Sequence, residues 1–214
     1  MRMVPVVLVL AGLSTLTACA PRAGHPDSTE TGTVTSRAET PTAAPGPSFD
    51  CAKADGDAEK LVCNDPALAA LDRRLADEYQ KALSHPGADK TMLEDSQHRW
   101  VSGRDDCSNA HDVGRCLRES YQTRVFELRT SDPAIPTPPV VAYSCPGDKP
   151  FTAKFYNDFD PRVAVLTLGE DSAVTFAEPA ASGARYGRDK VEFWEHHGEV
   201  TVNFFGNEFT CHTA

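Results

Sequence analysis

A change of hydrophobic period most constrains this chain. Before residue 131 apolar residues recur at three- and four-residue steps; after residue 140 they alternate. The two periods cannot share one element type, because the first marks amphipathic helices and the second half-buried strands. Between them Pro133, Pro136, Pro138 and Pro139 crowd one short stretch, which reads as an extended linker over 131–140. The chain is therefore expected to be α+β in separate domains: a small disulfide-stapled helical bundle over 50–130, then a small all-β antiparallel barrel-like domain over 141–214.

In the first part Asn64-Asp65-Pro66 is a helix start, a capping side chain followed by proline in the first turn. Leu68, Leu71, Leu75, Tyr79 and Leu83 then form one stripe. A break at Gly87 precedes a second helix from Lys90 to Arg104 that buries Leu93 and Trp100. A third, from Val113 to Leu128, places Leu117, Tyr121, Val125 and Leu128 on one face. Three short helices make a small bundle. In the second part Phe151, Ala153 and Phe155 alternate with polar residues, as do Val200, Val202 and Phe204, while Val163 to Leu168 is mostly β-branched and apolar.

The amino terminus carries an address. Arg2 precedes a short apolar run, Val4 to Leu13, and then Leu16-Thr17-Ala18-Cys19. A basic start, a short hydrophobic core and a small-residue cleavage site make a secretory signal over 1–18, and the run is too short to span a bilayer. The cysteine after Leu-Thr-Ala resembles the lipobox of bacterial lipoproteins. That resemblance implies cleavage before Cys19, lipid on its sulfur and new amino group, and an exported protein held at the envelope membrane by several acyl chains. Residues 19–49, rich in Pro, Thr, Ser, Ala and Gly, then read as the lipidated cysteine and a disordered tether.

With Cys19 assigned to lipid, six cysteines remain: Cys51, Cys63, Cys107, Cys116, Cys145 and Cys211. Export places them where disulfides persist. Cys145 and Cys211 flank the β domain, and their bridge would close it into one loop. Four helical cysteines allow three connectivities, of which the local pairs Cys51–Cys63 and Cys107–Cys116 are favoured. No spacing suits a zinc ligand set, so neither metal nor cofactor is expected. A net charge of −10 disfavours nucleic acid and anionic headgroups and would draw in a cationic partner.

The β domain opens with Tyr143-Ser144-Cys145, carries Ser182-Gly183-Ala184-Arg185-Tyr186 and then Phe193-Trp194, and closes with Cys211. This set, over 142–214, resembles the membrane-bound inhibitors of c-type lysozyme, marked by Y-x-C, S-G-x-x-Y, F-W-x-K-G-x-E-A and a final cysteine. The helical part carries Phe49-Asp50-Cys51-Ala52-Lys53-Ala54, Glu59 to Cys63, Leu71-Asp72, Gln97, Trp100, Arg104 to Cys107 and Cys116-Leu117. That string resembles the amino-terminal domain of LprI-type lipoproteins, described as lysozyme inhibitors.

The resemblance implies a non-enzymatic inhibitor whose partner is c-type lysozyme. Ser182, on a turn that Gly183 makes possible, enters the cleft and hydrogen-bonds the two catalytic carboxyls. Ala184, Arg185 and Tyr186 complete the motif, with Arg185 a permanent charge and Tyr186 packing the loop base. One departure stands out: an ungapped match places His196 at the family's lysine and His197 at its glycine. An imidazole there supplies a cation only when protonated.

Other residues have plainer readings. Phe193 and Trp194 serve as core and loop support, and Trp100 as bundle core. His196 and His197, adjacent on a strand, should point to opposite faces and so not share a metal. Asp105-Asp106 is an exposed helix end without an acid–base partner. No nucleophile triad, P-loop or dinucleotide fingerprint is present. The competing functions are an envelope lipoprotein gripping another host or cell-wall partner through its helical domain, and a cell-wall enzyme.

Overall fold

The computed structural model describes residues 45–148 and 150–213. The signal segment, the lipidation site at Cys19 and most of the tether lie outside the described residues. A 3-10 turn (Cys51–Lys53) leads into α1 (Asp57–Asn64), α2 (Pro66–Ser84), α3 (Lys90–Asp105), a second 3-10 turn (Asp106–Asn109) and α4 (Val113–Thr130). Eight strands follow: β1 (Val141–Ser144), β2 (Phe151–Tyr156), β3 (Val163–Leu168), β4 (Asp171–Glu178), β5 (Ala184–Arg188), β6 (Val191–His196), β7 (Glu199–Phe204) and β8 (Asn207–Thr213).

Three of the helices are those expected from the apolar stripes, and their starts are set by aspartates. Asp65 accepts hydrogen bonds from the amides of Ala67 and Leu68, Asp89 from Met92 and Asp112 from Arg115. Each satisfies amides that a first helical turn leaves orphaned. The sequence reading lacks α1. This helix has eight residues and no side-chain cap, and it buries only Ala58 and Val62, too short a stripe to show a period. Disulfides pin it and its distal counterpart: Cys51 joins Cys63, and Cys107 joins Cys116.

The helical core is Val62, Leu68, Leu75, Leu117, Tyr121, Val125 and Leu128. Within it lies a polar cluster. The Tyr121 hydroxyl donates to Asp72 Oδ1 at 3.0 Å and accepts from Arg104 Nη1 at 3.3 Å, while Asp105 accepts from Arg104 at 2.6 Å. Trp100 packs edge-on to Tyr121 at 5.1 Å and under the Arg104 guanidinium at 5.6 Å. Burial, reinforced by the Asp72 charge, raises the Tyr121 pKa well above the usual phenol range, so the hydroxyl stays protonated and can donate. Asp105, the exposed end of α3 as expected, closes this network from the solvent side, and Asp72 also accepts the Ser48 amide at 2.6 Å.

The strands form a closed antiparallel barrel in chain order, with β1 returning to β8. Closure removes free edges, and the Cys145–Cys211 disulfide ties the first and last strands. Phe151, Ala153, Leu166, Tyr186, Phe193, Val200, Val202 and Phe204 fill the interior. Strand β3 is apolar on both faces for a structural reason. Ala164 and Leu166 face the interior, while Val163 and Val165 pack outside with Phe176, Val174, Phe159 and Phe126 of α4. Phe126 meets Tyr156 edge-on at 4.9 Å, and Arg129 lies 4.1 Å over Phe159. The helical part therefore covers one outer face of the barrel. Among the described residues, no helix is long and apolar enough to cross a membrane.

Candidate functional site

The β4–β5 connection, 179–183, carries the Ser-Gly motif to one rim of the barrel. Gly183 has φ +75°, and a Cβ there would penetrate the Glu195 carbonyl oxygen and lie 3.3 Å from His196 Cα. Only glycine lets the loop lie this close to β6. Ser182 is exposed. Its carbonyl accepts the Trp194 indole N–H at 3.2 Å, and its hydroxyl lies 3.1 Å from His196 Nδ1.

The second motif arrives from the β6–β7 hairpin, whose turn residues His197 and Gly198 both have positive φ, +54° and +82°. This is the backbone of a two-residue hairpin whose twist matches its strands. His197 therefore sits in the turn rather than on the opposite strand face, and its ring stacks on His196 at 3.9 Å. Trp194 stacks on His196 from the strand side at 5.3 Å. The expectation that the two imidazoles diverge fails because the turn follows one residue earlier than a continuing strand would require. Among the described residues, no group of three or more His, Cys, Asp or Glu could hold a metal ion.

The remaining motif residues divide between support and presentation. Ala184 opens β5 opposite Glu195. Tyr186 is 4 % exposed and points into the barrel against Phe155 and Phe193, as part of its core. Burial pushes its hydroxyl up, with Arg162 pulling the other way. Burial, then the Glu195 charge, pushes Tyr143 nearby up to about 12. Both phenols stay neutral at physiological pH. Arg185 is tied down, its Nη2 donating to Glu192 at 2.6 Å and its Nε 3.3 Å from Glu178. Its charge is matched before any partner arrives.

Sequence reading left out the Trp194 bond to the Ser182 carbonyl and the two glutamates holding Arg185. Strand register makes these residues neighbours, Glu178 opposite Arg185 and Arg185 opposite Trp194, and no local spacing reports it.

An exposed Ser-Gly loop thus sits at the rim of a closed eight-stranded barrel that follows a disulfide-stapled helical bundle in the chain. Residues 143–209 match the family described as membrane-bound lysozyme-inhibitor of c-type lysozyme, and residues 51–128 match the family described as lysozyme inhibitor LprI. The chain is 46 % identical over 178 residues to lipoproteins LprI of Mycobacterium bovis and Mycobacterium tuberculosis, covering 83 % of this chain and 89 % of those proteins. No solved structure matches. The chain belongs to the LprI family of lysozyme-inhibitor lipoproteins.

Proposed function

We propose that this protein inhibits c-type lysozyme by inserting the Ser182-Gly183 loop into the active-site cleft, without catalysis of its own. The observation that carries the reading is the 3.1 Å contact between Ser182 Oγ and His196 Nδ1. It brings the two separate inhibitor-type motifs to one exposed point. Lysozyme works with two carboxyl groups flanking the scissile bond. A hydroxyl backed by an imidazole is a compact donor for such a pair. When His196 is protonated, its Nδ1–H donates to Ser182 Oγ, and the serine proton is left to point outward at a carboxylate. The acidic character of the chain, net −10, would speed encounter with a basic enzyme. Lipid on Cys19 would hold the inhibitor at the envelope membrane, with residues 20–49 as the tether.

The test is residual lysozyme activity on cell-wall suspensions with wild type, Ser182→Ala and Ser182→Trp. Loss of one charge-assisted hydrogen bond should weaken inhibition about tenfold in the alanine variant. The bulky indole should abolish it, while both proteins unfold at the wild-type temperature. Inhibition unchanged by both substitutions would place the contact surface elsewhere.

A further inference from the structure

Strand β5 carries the motif, yet it is only five residues long and pairs with β4 through three residues. It pairs with β6 along all five residues, and gains further contacts from α4. At its far end, where it turns into β6, the Asp189 amide donates to both carboxylate oxygens of Glu119 at 3.1 Å. Glu119 is 8 % exposed, and its Oε1 also accepts from Arg115 Nε at 2.7 Å. Arg115 Nη2 in turn lies 3.7 Å from Glu178, the last residue of β4, and Glu178 pairs with Arg185.

A run of alternating charge thus passes from Glu119 and Arg115 on α4, through Glu178, to Arg185 and Glu192 on β5 and β6. Glu178 and Arg185 bracket the Ser182 loop. The path needs Gly187: a Cβ there would lie 2.5 Å from Glu178 Oε1 and 2.7 Å from its Cδ, so the carboxylate occupies the space that a side chain would fill.

An isolated exposed ion pair contributes little. Here the Glu119 carboxylate that starts the run is buried and accepts from two donors, Arg115 Nε and the Asp189 amide shared between its oxygens, so removing its charge partner disturbs a connected set. Resting on the loop-insertion reading above, we infer that α4 fastens β5 through Glu119 and Arg115 and thereby sets the position of the Ser182 loop. Both are positioning residues, reaching lysozyme only through the loop. The helical part then contributes to inhibition without touching the enzyme.

Trp194 provides a readout independent of activity, because its indole N–H is bonded to the Ser182 carbonyl. The full chain, labelled with 5-fluorotryptophan, gives one ¹⁹F signal for Trp194 and one for Trp100, assigned by Trp194→Phe. Wild type, Arg115→Gln, Arg115→Lys, Gly187→Ala and Ser182→Ala are compared by ¹⁹F spectrum and by lysozyme inhibition. Arg115→Gln and Gly187→Ala should shift or broaden the Trp194 signal, leave that of Trp100 in place, and weaken inhibition about three- to tenfold, the scale of a small misplacement of a contact group. Arg115→Lys keeps a cation but can serve one carboxylate at a time, so it should recover part of the loss.

A Trp194 signal unmoved by Arg115→Gln overturns the inference. So does unchanged inhibition by Arg115→Gln while Ser182→Ala inhibits poorly. If the Trp194 signal moves but neither Arg115→Gln nor Ser182→Ala alters inhibition, the fastening by α4 stands and the loop-insertion reading falls.

Discussion

Gly183→Ala tests the loop geometry most directly. Two effects add. At φ +75° an L-residue meets a left-handed strain of about 1–2 kcal/mol. The new methyl would also penetrate the Glu195 carbonyl oxygen, with the Glu195 carbonyl carbon at 3.0 Å. Non-bonded carbon atoms settle near 3.5–4.0 Å, so the loop must retreat from β6 by roughly 1 Å. That movement breaks the Trp194–Ser182 bond, already at 3.2 Å, at a net loss of about 1 kcal/mol. Together they should cost the fold about 2–3 kcal/mol, or roughly 4–12 °C of Tm for a chain of this size.

The effect on inhibition should be larger than that on folding. A displacement of about 1 Å in a group that must reach buried carboxyls costs on the order of 10- to 100-fold in binding. The control is Gly206→Ala in the β7–β8 turn, also at positive φ (+87°) but with nothing within 4 Å of the added carbon. It carries the backbone strain without the clash and should inhibit as wild type does. Inhibition constants from turbidity assays and thermal unfolding are measured for all three proteins. Gly183→Ala inhibiting within twofold of wild type would refute the claim that close approach of the loop to β6 is needed.

Three further outcomes are expected. His196, 3.1 Å from Ser182 Oγ, is replaced by lysine and by alanine: His196→Lys, with a permanent ammonium beside the serine, should tighten inhibition at neutral pH about three- to tenfold and His196→Ala should weaken it by a similar factor, and equal inhibition by all three proteins would separate His196 from the carboxyls. Replacing Cys145 and Cys211 by serine opens a closure spanning 66 residues and should cost about 4 kcal/mol by the chain-entropy relation, read as a lower urea midpoint; an unchanged midpoint would mean that barrel closure does not depend on the bridge. Phe126→Ala, at 6 % exposure in the shared cluster, should cost about 3–5 kcal/mol and split one urea transition into separate helical and barrel steps, whereas a single transition at the wild-type midpoint would show that α4 does not couple the two parts.

The sequence made some levels of this structure legible and hid others. The apolar stripes of α2 and α4 and the alternation of β2 and β7 follow from one buried face per element, so periodicity suffices to find them. Asp65-Pro66 marked a helix start because capping is local chemistry. Helix α1 was hidden because two buried residues make no period. At the site, the Ser-Gly motif and the displaced lysine position could be named from the chain, but their meeting through a 3.1 Å hydrogen bond depends on β5 lying beside β6. The same holds for Arg185. Its permanent charge is plain in the sequence, while its capture by Glu178 and Glu192 is a consequence of register.

The continuous apolar run Val163 to Leu166 held more information than alternation alone extracts. A barrel strand facing water outside should read apolar and polar in turn; one apolar on both faces must be covered twice. Here the second cover is Phe126 on α4, with Phe159 and Phe176 beside it. That cover fixes α4 against β3 and β4, which in turn brings Glu119 and Arg115, about two and three turns earlier on the same helix, alongside Asp189 and Glu178. The apolar patch and the charged fastening are thus two consequences of one docking. If Val163→Thr with Val165→Thr loosens α4, both should fail together: the Trp194 ¹⁹F signal should move as it does in Arg115→Gln, although neither valine touches the loop. A Trp194 signal that stays fixed while the helical and barrel transitions separate would show that the charged contacts hold β5 without the apolar seat.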